Sequence, residues 1–174
     1  MDGLDIKSLY INELENVIKG LGQPAFRAGQ IFSWLHEKLV TDYDEMTNIS
    51  RELRARLAQN WPIIALKPVD VWCSAEDGTE KYLFMLHDNR VIESVLMKYH
   101  HGNSVCISSQ VGCRMGCKFC ASTIGGRERD LLPSEMLDQV YRIQAISGER
   151  VSNVVIMGTG EPLDNYDNVI RFIR

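Results

Sequence analysis

The sequence predicts an α/β protein in which a small helical domain precedes strands that lead into a β-α-β unit. Three observations carry this reading. Apolar residues recur at helical spacing through the first sixty positions, short runs rich in β-branched and aromatic residues begin at Lys67, and a strand, loop, helix, strand order follows from Ser104 onward. The predicted divisions are a helical accessory domain over 1–65, a β extension over 66–102 and the first part of a larger α/β domain over 103–174.

Asn12 followed by Glu15 reads as a capping box opening a helix that Gly20 and Gly22 close. Pro24 suits the first turn of the next helix, where Phe26, Ile31, Trp34 and Leu35 form an apolar stripe toward a small core. A third helix over about 49–59 stops at Trp61-Pro62, because a residue before proline is pushed out of the helical region.

From Lys67 the period changes. VDVWC, EKYLFML and RVIESVLM read as strands separated by Asp77-Gly78 and Asp88-Asn89, the second pair as a hairpin. SVCISSQ is a further strand and runs directly into the loop GCRMGCKFC. Pro133 opens a helix that carries Glu135 in its first turn and ends at Gly148, followed by a buried strand, NVVIM, and the loop GTGEPLDN. Both loops then lie at the strand-end edge of a parallel sheet, where α/β folds bind ligands. A single such unit cannot close a barrel, so the chain reads as part of a larger domain.

Of the 174 residues 45% are hydrophobic and 24% charged, which is enough to bury a core. No apolar run reaches the roughly 18 residues of a membrane span, and the N-terminus lacks the basic start and apolar stretch of a secretory signal. A cytoplasmic protein with no membrane association is expected. The net charge of -4 gives no global field favouring nucleic acid. Only the cysteine region is locally basic, with Arg114, Lys118, Arg127 and Arg129 against Glu128 and Asp130.

Three of the five cysteines, Cys113, Cys117 and Cys120, form C-x3-C-x2-C on a loop containing Gly112 and Gly116. In a reducing compartment such clustering points to metal or catalysis rather than disulfides. Thiolates suit iron-sulfur clusters and zinc, and a cubane held by three cysteines leaves one iron open for chemistry. The alternative is a zinc site completed by Cys106, His100 or His101. Cys73 has no partner motif and reads as a packing residue. Trp34, Tyr82 and Phe84 could stack on RNA bases, but core packing is the expected role for all three.

C-x3-C-x2-C with Phe119 before the third Cys resembles the signature of the radical S-adenosyl-L-methionine (SAM) superfamily. IMGTGEP, after the next predicted strand, resembles that superfamily's SAM amino-group motif, with Gly160 and Glu161 at the matching positions. FRAGQIFSWL, EMTNISRELRARL, DGTEKYLF, VIESVLM, CISSQVGCRMGCKFCAST and MGTGEPLDN together resemble the RlmN/Cfr family of RNA adenine methyltransferases. The resemblance implies the opening units of a partial (β/α)6 radical-SAM barrel behind a helical accessory domain and a β extension. It implies a 4Fe-4S cluster on Cys113, Cys117 and Cys120, with SAM as cosubstrate. Methylation of adenine C2 in 23S rRNA and tRNA follows, or of C8 in the Cfr type, with an electron donor such as flavodoxin or ferredoxin. A non-catalytic iron-sulfur or zinc module is the remaining alternative.

Two further roles come with the resemblance. Cys106, seven residues before Cys113, matches the family's resolving cysteine, and Glu93 matches its proton acceptor. Strand alternation puts Glu93 with Val91, Val95 and Met97, an apolar set in which an unpaired carboxylate is costly and suited to proton transfer. For Cys106 to react it must be reachable and partly thiolate, a setting the neighbouring loop could provide. The family's methyl-carrying cysteine has no match, since no Cys follows Cys120, so the chain is expected to be inactive alone.

Overall fold

A backbone amide at a helix start needs an acceptor, and in the first helix the acceptor is Glu13. The computed structural model describes residues 5–174, so the first four residues of the predicted helical domain lie outside the described residues. Helix α1 is Ile11–Gly20, and the Glu13 carboxylate accepts the backbone N–H of Tyr10 at 2.8 Å. The predicted Asn12/Glu15 box therefore lies two residues beyond the observed Tyr10/Glu13 pair, and Glu15 instead pairs with Lys19 one turn on.

Helix α2 spans Phe26–His36 and α3 Arg51–Asn60, the latter capped by the Ser50 hydroxyl. Ala28, Ile31 and Leu35 of α2 are buried against Leu14, Ile18, Leu53 and Leu57. Phe26 was expected in this stripe but is 61% exposed, with the Arg27 guanidinium 5.0 Å above its ring. Two residues from Ala28 on a helix, it points away from the face that Ala28, Ile31 and Leu35 share. Trp34 packs against the core, donates to Asn48 at 2.6 Å and lies under Lys38 Nζ. This compact unit ends at Ile64, whose backbone N–H and C=O bind Asp5 and Lys7 respectively.

The second compact unit begins at Ala65. Its strands are β1 Lys67–Cys73, β2 Glu80–Met85, β3 Val91–Met97, β4 Asn103–Cys106, β5 Gln110–Gly112, β6 Arg127–Asp130 and β7 Val151–Val155. Helices α4, Pro133–Ser147, and α5, Tyr166–Ile173, complete it. Five strands form one mixed sheet in the order β1-β2-β3-β4-β7, antiparallel except for the parallel pair β4 and β7. That pair, joined through α4, is the predicted β-α-β unit. The predicted extension strands and the first strand of the unit share this sheet.

One face of the sheet carries the core: Tyr82, Phe84, Ile92, Leu96, Val105 and Ile107 are buried with Met136 and Ile143 of α4. Tyr82 and Phe84 are fully buried and stack on each other, which leaves neither ring for a base. Strand β7 was expected to be buried; it is the sheet's edge strand, and Ser152, Asn153 and Val154 are exposed. Cys73 is exposed at the end of β1 and packs in no core. Among the described residues no helix is long and apolar enough to cross a membrane.

Candidate functional site

The cysteine loop is carried by a separate two-stranded ribbon of β5 and β6. Gly112 turns the chain out of β5 at φ 71°, and a Cβ there would stand 1.9 Å from the Gly126 carbonyl oxygen. Only glycine combines that conformation with that approach. Cys113 donates its N–H to the same carbonyl, Cys120 N–H reaches Cys117 O, and the Thr123 hydroxyl binds Cys120 O at 2.9 Å. All three thiols are free; Cys113 is buried, Cys120 partly buried and Cys117 exposed. Among the described residues no three His, Cys, Asp or Glu side chains are gathered into a metal-binding group. The donor set itself, three free thiols within eight residues on a loop fixed at both ends, fits an iron-sulfur cluster in ligand type.

The stretch after β7 folds back on the residues that precede this loop. Gly158 N–H binds Ile107 O, while Ser109 and Gln110 donate their N–H groups to Thr159 O at 2.9 and 3.2 Å. Gly160 has φ 107°, and a Cβ there would meet Gln110 Cβ at 2.6 Å. Glu161 donates its backbone N–H to Gln110 Oε1 at 2.9 Å, and its carboxylate accepts from Leu163 N–H at 3.1 Å. The two predicted loops therefore meet at one edge of the sheet.

Their junction is built from residues to which the sequence reading gave no role. Gln110 is fully buried, and its Nε2 donates to Asp130 at 2.7 Å and to Asp164 at 3.3 Å. Behind it, Gln139 on α4 accepts from the Ser94 hydroxyl and Ser108 N–H and donates to Ser108 O and Glu135 O. Asn165 donates to Ser109 O and Leu131 O. The signal available in the sequence was the polar run Ser108-Ser109-Gln110 in an otherwise apolar strand, since buried polar groups require partners.

The locally basic character of the region is largely neutralised. Arg114 and Arg127 pair with Asp164, and Arg129 holds Asp88 at 2.6 Å and Glu135 through two bonds of 2.8 Å. The hydrogen bonds from Arg114 and then Gln110 hold the Asp164 carboxyl below the usual carboxylate range.

Glu93 and Cys106 occupy the face of the sheet opposite the core. Register pairs Trp72 with Lys81, Lys81 with Val95, Val95 with Cys106, and Cys106 with Val155, one row across five strands. Glu93 shares the face of Val91, Val95 and Met97 as predicted, but that face is the open one. Its carboxylate is half exposed and 2.7 Å from Lys81 Nζ, so the expected unpaired, apolar setting is not found. The reason lies in which face α4 covers: Ile92, Ser94 and Leu96 point to it. Burial pushes the Cys106 thiol up, only partly offset by a backbone hydrogen bond from Met157, so the cysteine loop does not make it a thiolate. His100 and His101 lie exposed in the turn after β3.

Known proteins share both this fold and these loops. Residues 4–63 match the model of the ribosomal RNA large subunit methyltransferase N-terminal domain, and residues 107–174 match the radical SAM superfamily. The crystal structure of a radical SAM methyltransferase from Sphaerobacter thermophilus superposes with a TM-score of 0.90 at 41% identity, over 99% of this chain and 51% of that one. Over residues 107–174 the fold and the cysteine motif match those of the radical SAM superfamily, and the sheet corresponds to part of a radical-SAM barrel. A probable dual-specificity RNA methyltransferase RlmN of Lachnospira eligens is 65% identical over 98% of this chain and 49% of its own length. Its namesake in Alkaliphilus oremlandii is 49% identical over the whole chain and 50% of its own length. The similarity to these RlmN proteins runs along nearly the whole chain, which spans about half the length of the curated relatives it matches.

Proposed function

We propose that these residues form part of a radical-SAM RNA methyltransferase that methylates C2 of an adenine in 23S rRNA and tRNA. The observation that carries the reading is the meeting of the C-x3-C-x2-C loop with the GTGEPLDN stretch at one sheet edge, through Arg114 and Asp164 and through Gln110 just before the loop. Cys113, Cys117 and Cys120 would hold a 4Fe-4S cluster; when bound, such a cluster supplies one electron to SAM and so gives access to hydrogen-abstraction chemistry. Gly160 lets the chain pass close to Gln110, and Glu161 offers a carboxylate to the SAM ammonium.

On the open face Glu93 would take the proton from the adenine, with Lys81 fixing its carboxylate. Cys106, a protonated thiol in the same surface, would serve as the resolving cysteine for a methyl-carrying Cys that this sequence does not contain. Residues 5–64 would form the accessory domain, and a flavodoxin or ferredoxin would donate the electron.

Anaerobic reconstitution with iron and sulfide, followed by EPR of the reduced protein with and without SAM, tests the assignment. The expected result is a 4Fe-4S signal that changes on adding SAM and is lost in Cys117→Ala. A site filled only by zinc, or a cluster indifferent to SAM, would overturn it.

A further inference from the structure

Asp164 stands where the two loops join, and its carboxylate is used on both sides. One oxygen accepts from the guanidinium of Arg114, which lies between Cys113 and Cys117. The other accepts from Gln110 Nε2 and from Arg127 Nη1, each at 3.3 Å. Gln110 in turn holds the N–H of Glu161, and Asp164 N–H closes the short turn back onto Glu161 O at 3.0 Å. The Asp164 side chain is only 13% exposed, whereas Arg114 is 64% exposed. An isolated pair with so exposed an arginine would contribute little. A shielded carboxylate shared by two guanidinium groups and a buried amide forms a network, and networks of charged hydrogen bonds hold geometry better than single pairs.

We propose that Asp164 is a positioning residue: acting through Arg114 and Gln110, it locks the cysteine loop to the Gly160-Glu161 stretch, so that filling one loop organises the other. The proposal rests on the radical-SAM reading for what fills each loop; the lock itself belongs to the protein alone. Its chemistry predicts coupling. Removing the Asp164 charge frees Arg114, lets the 113–120 backbone open, and displaces Glu161 relative to the cysteines without removing any thiol.

The test compares the native chain with Asp164→Asn, Asp164→Glu and Arg114→Gln. Hydrogen exchange over 113–120 is measured in the metal-free chain, and the SAM concentration that half-converts the EPR signal is measured after reconstitution. Exchange should quicken by about fivefold to tenfold in Asp164→Asn and Arg114→Gln while the amides of β2 keep their protection. Iron content should stay at the native level while the half-converting SAM concentration rises by a similar factor of about five to ten, and Asp164→Glu should restore both readings. Arg114→Gln, at an exposed side chain, keeps the test decisive if Asp164→Asn folds poorly. Native exchange and a native SAM midpoint in Arg114→Gln would overturn the lock. Failure of the native chain itself to take up iron would count against the radical-SAM reading and leave the exchange measurement to decide the lock.

Discussion

The side-chain oxygen of Gln110 accepts the backbone N–H of Glu161 at 2.9 Å, while the nitrogen of the same amide donates to Asp130 at 2.7 Å. One buried side chain thereby satisfies groups 51 and 20 residues away along the chain. Replacing it with alanine strands the Glu161 amide and leaves Asp130 with Arg127 as its remaining side-chain donor. Gln110→Ala is expected to destabilise residues 65–174 by roughly 2–3 kcal/mol, read as a lower urea midpoint. A midpoint equal to the native one would mean that water replaces the amide at no cost.

Gly112 presents a stricter requirement. Its φ of 71° and the 1.9 Å separation between a built Cβ and Gly126 O forbid any side chain without movement of the ribbon. Gly112→Ala should cost about 3 kcal/mol and expose the amides of β5 and β6 to solvent exchange. Protection of those amides at the native level would show that the ribbon yields more easily than its close contact suggests.

His36 makes the helical unit sensitive to acid. Burial, with the nearby Lys7 charge adding to it, lowers its pKa from 6.5 to about 4. The unfolded chain therefore binds a proton in a window where the folded chain refuses it. Stability is complete above pH 6.5 and is lost as the pH falls toward about 4, by roughly 2–3 kcal/mol. Thermal melts of His36→Phe, which keeps a ring beside Phe32, should lack this slope between the two values.

Cys106 and Cys73 should differ in reactivity. Burial pushes the Cys106 thiol up, and Cys73 is exposed. In the metal-free chain near neutral pH, mass spectrometry after brief alkylation should find Cys73 and Cys117 modified before Cys106, by about tenfold in rate. Equal rates would indicate that the open face of the sheet admits the reagent freely and that burial does not control this thiol.

The cysteine loop, the strand runs and the β-α-β order were legible because each is written locally, in spacing or in a period of two or 3.6 residues. Alternation also grouped Glu93 correctly with Val91, Val95 and Met97. It could not reveal which face was covered, because the covering helix starts at Pro133 and contributes Met136 and Ile143 from far along the chain. The Gln110 and Asp164 network was hidden for the same reason: Asp164 meets Arg114 across 50 residues and Gln110 across 54. Tyr10 was passed over because an aromatic residue is not a usual cap, and there the backbone N–H rather than the side chain meets Glu13.

The row from Trp72 through Lys81, Val95 and Cys106 to Val155 has a consequence for how sequence change is tolerated. A slip of β2 by one residue against β1 and β3 would turn Tyr82 and Phe84 outward and Lys81 inward. The stacked rings on the covered side thus serve as a registration mark for the side that carries the thiol. Substitutions in Tyr82 or Phe84 that loosen this alignment would change which neighbours Cys106 meets while leaving every residue around it untouched.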